Sequence, residues 1–320
     1  MKFSRVVVFA IFGVVAIFSF IVLCGLQVAS AQGPPTAGGI PAHLVVTAEP
    51  RHGNDVPPIA ENEVMVYEAH DRDAVTEWVP ATGDRAAVDL FILMDDSSGE
   101  GLGTRLDDLR QFINAQAPAT KVGVAYMQNG RARIEQGLTA EHALAAKALR
   151  LPLGEAGINA SPYISLSDLV KHWPAGAPRR EVVMISDGID RYYESADLQD
   201  PYLAKAIDDA VQAGILVSAI YNPGAGHFGH SYWQSYWGQI YLSQLAERTG
   251  GEAYYIGFRG APVSFTPYLD DFEHRLGHQY FLTFLAKPPK KAGWVQVRLG
   301  TEVPGVDLIS AGRVYVTPEK

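Results

Sequence analysis

The middle of the chain alternates between continuous apolar runs and segments whose apolar residues recur every three to four positions. Val88 to Met94 is apolar except for Asp89, the pattern of a strand covered on both faces. Leu106, Leu109, Phe112 and Ile113 follow at helical spacing. Lys121 to Met127 reads as the next strand, and Asn129-Gly130 separates it from a strand-like Arg131 to Leu138. An Asn-Gly pair between two strands predicts a tight hairpin, which sets this third strand antiparallel at one edge. The Ala-rich stretch Thr139 to Arg150 predicts a helix capped by Thr139. Ile164, Leu169, Val170 and Trp173 mark a second helix, and Glu181 to Ser186 a buried strand. Leu203, Ala206, Ile207, Ala210 and Val211 share one helical face that Gly214 ends. Strands at Ile215 to Tyr221 and Glu252 to Ile256 and helices at Gln239 to Arg248 and Pro267 to Leu276 complete the series. This alternation predicts an α/β fold, a doubly wound, mostly parallel six-stranded sheet with helices on both faces.

The flanks carry strand patterns without helices. His43 to Thr47, Glu63 to Glu68 and Ala74 to Val79 precede the core, and Gln279 to Leu285, Trp294 to Leu299 and Arg313 to Val316 follow it. The two β-rich ends are expected to pair with each other. Gly33-Pro34-Pro35-Thr36-Ala37-Gly38-Gly39 holds neither helix nor strand. The organisation is then a segment 1–31, a linker 32–42, a β-rich part 43–85, the α/β domain 86–278 and a β-rich part 279–320.

Residues 1–31 form an export signal: Lys2 and Arg5, the apolar run Val6 to Leu26, and small residues in Ala29-Ser30-Ala31. Cleavage before Gln32 is the favoured reading. Retention of Val6–Leu26 as a membrane anchor is the alternative, because the run is long enough to span a bilayer. Either way the protein is exported, periplasmic or extracellular, and membrane association comes only through an uncleaved N-terminal segment. The lone Cys24 lies in this segment and excludes a disulfide framework or a cysteine-ligated zinc site. Apolar residues at 48% and charged residues at 19% allow a sizeable core. The net charge of −9 becomes −11 on cleavage, since two of the 26 basic and none of the 35 acidic residues leave. That balance, with no basic run, argues against a nucleic-acid partner.

In a doubly wound sheet, chemistry sits at the carboxyl ends of the parallel strands. Three segments meet that description: Asp95-Asp96-Ser97-Ser98-Gly99-Glu100, the loop holding Ser161, and Ser186-Asp187-Gly188. Their donors are hard oxygens, suited to Mg2+, Mn2+ or Ca2+ and unsuited to zinc. Here the sequence resembles the von Willebrand factor type A domain, in the form of the acidobacterial-type secreted VWFA-related domain. Val88–Asp96, Arg180–Gly188 and Leu242–Glu252 carry the resemblance, with Glu63–Glu68 and Gln279–Leu282 on the flanks. It implies a Rossmann-like sheet whose first and fourth strands are adjacent, and a metal-ion-dependent adhesion site. That site would take an Asp-x-Ser-x-Ser from the first strand, a Thr from the second loop and an Asp from the third. This chain departs from the pattern. One frame gives Asp95, Ser97 and Gly99, and the other Asp96, Ser98 and Glu100; Ser161 replaces the Thr, and Asp187 matches. Two readings are open: a divalent cation held weakly, or a vestigial site that holds none.

The segment Asn222 to Gly238 is rich in Gly and aromatics and is read as a loop emerging on the same edge. His227, Tyr232, Trp233, Tyr236 and Trp237 are its candidate partner-binding residues, as in adaptable paratope loops; the other reading is a small satellite core. Gly99, Gly101 and Gly103 lack the dinucleotide-binding spacing, and around Gly229-His230-Ser231 Trp233 replaces the closing Gly of a nucleophile elbow. With neither nucleophile–base pair nor cofactor fingerprint, the chain reads as a non-enzymatic adhesion module. Its partner is a protein, whose acidic side chain would complete the metal site. A structural envelope component with a dead metal site is the alternative, and a hydrolase is further off.

Overall fold

The apolar runs fold as strands and the three-to-four-residue periodicities as helices in the computed structural model, which describes residues 39–97, 102–154, 157–193, 199–223 and 231–318. The first strands are β1 (Ile40–Pro50), β2 (Val64–Glu68), β3 (Asp71–Asp73) and β4 (Val75–Pro80). The alternating series follows: β5 (Val88–Asp95), α1 (Gly103–Ala115), β6 (Thr120–Gln128), β7 (Arg131–Thr139), α2 (His142–Lys147), α3 (Pro162–Lys171), β8 (Arg179–Ser186), α4 (Pro201–Gln212), β9 (Ile215–Tyr221), α5 (Tyr232–Thr249), β10 (Ala253–Tyr254) and α6 (Thr266–Gly277). Five strands come after it: β11 (Gln279–Ala286), β12 (Gly293–Gln296), β13 (Arg298–Thr301), β14 (Val306–Ile309) and β15 (Arg313–Val316).

The series builds one six-stranded sheet in the order β10-β9-β8-β5-β6-β7. Its neighbours are parallel except for β7, which is antiparallel to β6. The hairpin turns on Asn129 and Gly130, at φ 49° and 73°, a pair of positive values that Asn-Gly supplies at low strain. The first and fourth strands of the series, β5 and β8, lie side by side at the centre, as the resemblance implies. Every residue of β5 is buried. Leu90, Ile92 and Met94 enter the core beneath α1, α2 and α6, while Phe91 and Leu93 enter the one beneath α3, α4 and α5. Each such side chain stabilises the fold by roughly 1.5–3 kcal/mol, so the sheet is fixed from both faces.

The β-rich ends do pair. β1 runs antiparallel to β11 from Ile40↔Ala286 to Thr47↔Gln279, within a sheet ordered β14-β1-β11-β4. Val46, Trp78, Leu282, Phe284, Val306 and Val314 build its separate core. A buried polar knot joins this module to the α/β sheet at the end opposite Asp95. Arg179 donates to the carbonyls of Ala86 and Leu276 and to the Gln279 side chain, and the Gln279 amide donates to Glu181 at 2.7 Å. Arg275 pairs with Glu49 and Glu252 beside it.

Several expectations are corrected. Thr139 does not cap a helix. Its backbone pairs with Val122 at the irregular end of β7, its hydroxyl accepts from the Glu141 amide, and α2 starts only at His142. The first strand begins at Ile40, inside the expected linker. The strand expected over Trp294–Leu299 breaks at Val297, whose amide turns to Gly312, and Val306–Ile309 is an unforeseen strand. The loop expected up to Gly238 ends at Ser231, where a capping box opens α5: the Ser231 hydroxyl accepts from the Gln234 amide, and the Gln234 side chain accepts from the Ser231 amide.

Candidate functional site

Parallel pairing of β5 with β8 brings their carboxyl ends to one height, with Met94 opposite Ile185. Asp95 and Ser186 therefore meet, and Asp187 follows directly. Asp95 Oδ1 accepts from the Ser97 amide at 3.0 Å and the Ser97 hydroxyl at 2.5 Å, and Oδ2 accepts from the Ser186 hydroxyl at 3.1 Å. Burial first, and then the neighbouring Asp187, raise the Asp95 pKa above the usual carboxylate value, against the Ser97 hydrogen bond and Arg191, which lower it.

Ser161 caps α3, accepting from the Ile164 amide at 3.2 Å ahead of Pro162. Its hydroxyl donates to Asp190 Oδ2 at 2.6 Å. Asp187 is fully buried; its Oδ1 accepts from the Ile189 amide at 2.9 Å, and its Oδ2 from Arg191 Nη2 at 2.6 Å. The Arg191 amide donates to the Ala160 carbonyl at 3.0 Å, which ties the third loop to the second. Burial works against the Arg191 charge, but Asp187, Asp95 and Asp190 outweigh it and hold its pKa above the ordinary guanidinium value. Asp95, Ser97, Ser161 and Asp187 thus come together at one edge. Arg191 and Asp190, which the sequence reading did not single out, stand among them.

Asp96 does something else. Arg150 grips it with two hydrogen bonds of 2.7 and 3.1 Å, and the Leu153 amide adds a third at 2.9 Å. The guanidinium lies 3.9 Å over the Tyr126 ring. Asp96 therefore fastens the β5 loop to the segment after α2; Ser98 and Glu100 of the same frame lie outside the described residues. Asp96→Asn is expected to cost about 2 kcal/mol, because a partly buried arginine loses its charged partner but keeps Glu135. Urea unfolding measures this.

The hard-oxygen donor types suit a divalent cation, but their arrangement does not. Both Asp95 oxygens, both Asp187 oxygens and the Ser161 hydroxyl are already engaged, and a positive side chain lies on Asp187. The space left among Asp95, Ser161 and Arg191 is about 10 Å3. Among the described residues, no group of three His, Cys, Asp or Glu side chains is placed to hold a metal ion.

Gly188 and Gly238 seat α5 on this edge. Gly188 has φ +70°, and a Cβ on it would collide with the Gly238 carbonyl; a Cβ on Gly238 would collide with the Asp187 carbonyl. The first two turns of the helix carry Tyr232, Trp233 and Tyr236, exposed at 58%, 64% and 46%. Their ring centroids lie 5.5 to 6.4 Å apart. Trp237 instead packs towards Tyr241 and the core. His227 lies outside the described residues. The Ser231-x-x-Gln234 spacing was the sequence signal for this helix start.

No family model matches the chain, and neither does any curated protein. Solved structures give distant likenesses. An aerotolerance-related membrane protein from Bacteroides fragilis, with multiple mutations to serines, is 13% identical at TM-score 0.43, with 59% of this chain and 98% of that one covered. The VWA domain of SpRpn10 is 14% identical at TM-score 0.35, with 58% and 94% covered. The human COPII-coat protein Sec24c is 8% identical at TM-score 0.40, with 73% and 44% covered. These are likenesses of fold and carry no activity with them. Among the described residues no helix is long and apolar enough to cross a membrane; Val6–Leu26 lies outside them.

Proposed function

We propose that this chain is a non-enzymatic protein-binding module of the cell envelope, exported by its N-terminal segment, which engages its partner through the carboxyl edge of the central sheet. The observation that carries this reading is the aromatic turn of α5. Tyr232, Trp233 and Tyr236 spend three large rings on solvent at the edge where the fold gathers its polar loops. Clustered exposed aromatics with a polar handle are the side chains that dominate binding energy at interfaces. Their helix is pinned to the Asp187 loop by two glycines, so the surface is preorganised and little ordering entropy opposes binding.

Trp233→Ala tests the reading. The ring touches mainly solvent and other exposed rings, so stability is expected to stay within about 0.5 kcal/mol of wild type. Partner recovery from envelope extract, quantified by mass spectrometry, is expected to fall more than about tenfold, as a hot-spot loss of roughly 2 kcal/mol implies. Tyr315→Ala, an exposed aromatic on the β module, serves as control and should recover the partner as wild type does. Equal recovery by Trp233→Ala and wild type, or equal loss in both variants, would overturn the proposal.

A further inference from the structure

Besides Asp96, which Arg150 holds, three buried carboxyl groups crowd the carboxyl edge of β5 and β8. Asp95, Asp187 and Asp190 are 6%, 0% and 6% exposed. Buried carboxylates this close need a compensating cation, since the local dielectric is low and like charges cannot all ionise together. The chain brings that cation itself. Arg191 Nη2 sits 2.6 Å from Asp187 Oδ2, and its charge acts on Asp95, Asp187 and Asp190 together. Its backbone is fixed, since its amide is bonded to Ala160 beside Ser161. The adjoining space of about 10 Å3 is at the limit for a single water. A magnesium or manganese ion that keeps several of its waters needs far more.

We propose that the Arg191 guanidinium occupies the place of a divalent cation, so that this edge carries its own counter-charge without metal, and that removing the guanidinium opens a Mn2+ or Mg2+ site on Asp95, Ser97 and Asp187. The argument needs no partner and stands apart from the binding role of the aromatic turn. The arginine supplies a delocalised charge with donors in a fixed plane, which no ion exchange can remove. The edge is then indifferent to chelators and to the divalent-ion content of the compartment.

The test compares the full-length wild-type chain, Arg191→Gln, and Arg191→Gln combined with Asp187→Asn. Each is titrated calorimetrically with Mn2+ and melted with excess Mn2+ or with chelator. Wild type is expected to give no saturable heat and the same midpoint in both conditions. Arg191→Gln is expected to melt lower than wild type in chelator, to bind Mn2+, and to recover roughly 3–6 °C of midpoint at ten times the dissociation constant. The double variant should lose that response. If Arg191→Gln does not fold in chelator, folding on addition of Mn2+ supports the proposal, and failure to fold with Mn2+ overturns it. A wild-type protein that binds Mn2+ and loses it with Asp187→Asn overturns it as well. So does a folded Arg191→Gln that gives no Mn2+ response.

Discussion

Gly238→Ala is expected to lower stability by roughly 2–3 kcal/mol, although the same substitution in an exposed helix adds about 1 kcal/mol. The sign reverses because Gly238 faces the backbone of the Asp187 loop. An added methyl would fall well inside van der Waals distance of the Asp187 carbonyl. A carbonyl of the main chain cannot swing aside as a side chain can, so either α5 lifts or the loop shifts. Gly188→Ala should do worse, since it meets the Gly238 carbonyl and Leu242 and also sits at φ +70°, which costs an alanine another 1–2 kcal/mol or so. Urea unfolding followed by far-UV circular dichroism gives both values. A Gly238→Ala protein more stable than wild type would mean that α5 does not rest on the loop.

The second large effect is one of pH. Burial is the main force on Glu181; it outweighs the Gln279 amide and the Arg179 charge and pushes the pKa from 4.5 up to about 7. The folded chain then keeps a proton that the unfolded chain releases. Between these two values the native state binds more protons than the unfolded one, so stability falls as pH rises through the window. The loss is complete above about pH 7 and is worth on the order of 3 kcal/mol. Asp73 is also pushed up to about 7, by burial and by Glu68, and slopes the same way, so the comparison of interest is with Glu181→Gln. That variant keeps an oxygen for the Gln279 amide and has no charge to bury. Its unfolding free energy should run flatter than wild type from pH 5 to 8 and exceed it by about 3 kcal/mol at pH 8. Parallel curves for the two proteins would show that Glu181 does not ionise in this window.

The central strands are legible in the sequence because both faces of β5, β8 and β9 are covered, and a covered strand has no polar alternation to obscure it. Asn129-Gly130 is legible because few other pairs accept two successive positive φ values. The start of α5 is hidden from periodicity. Tyr232, Trp233 and Tyr236 give an apolar signal on the solvent side, and only the Ser231–Gln234 cap marks the boundary. Thr139 misleads because its hydroxyl serves a turn as readily as a helix cap. At the site, Asp95, Ser97, Ser161 and Asp187 could be picked out as strand-end oxygen donors. Arg191 could not, because its part depends on β5 and β8 being neighbours and on a loop that folds back to Ala160. The polar knot of Arg179, Glu181 and Gln279 is likewise invisible, since its members lie up to 100 residues apart.

The pairing of β1 with β11 sets how the molecule carries a mechanical load. β11 leaves the α/β domain at Gln279, and β1 returns towards it from Ile40, at the far end of eight register pairs, or about 24 Å at ordinary strand rise. A pull between the chain preceding Ile40 and the edge bearing Asp187 draws the two strands past each other along their length. Their hydrogen bonds lie across that direction, so the register is loaded in shear with all eight pairs sharing the tension. Peeling would break them one at a time. A load applied at Ile40 is thus resisted where a hairpin pulled from its open end would unzip.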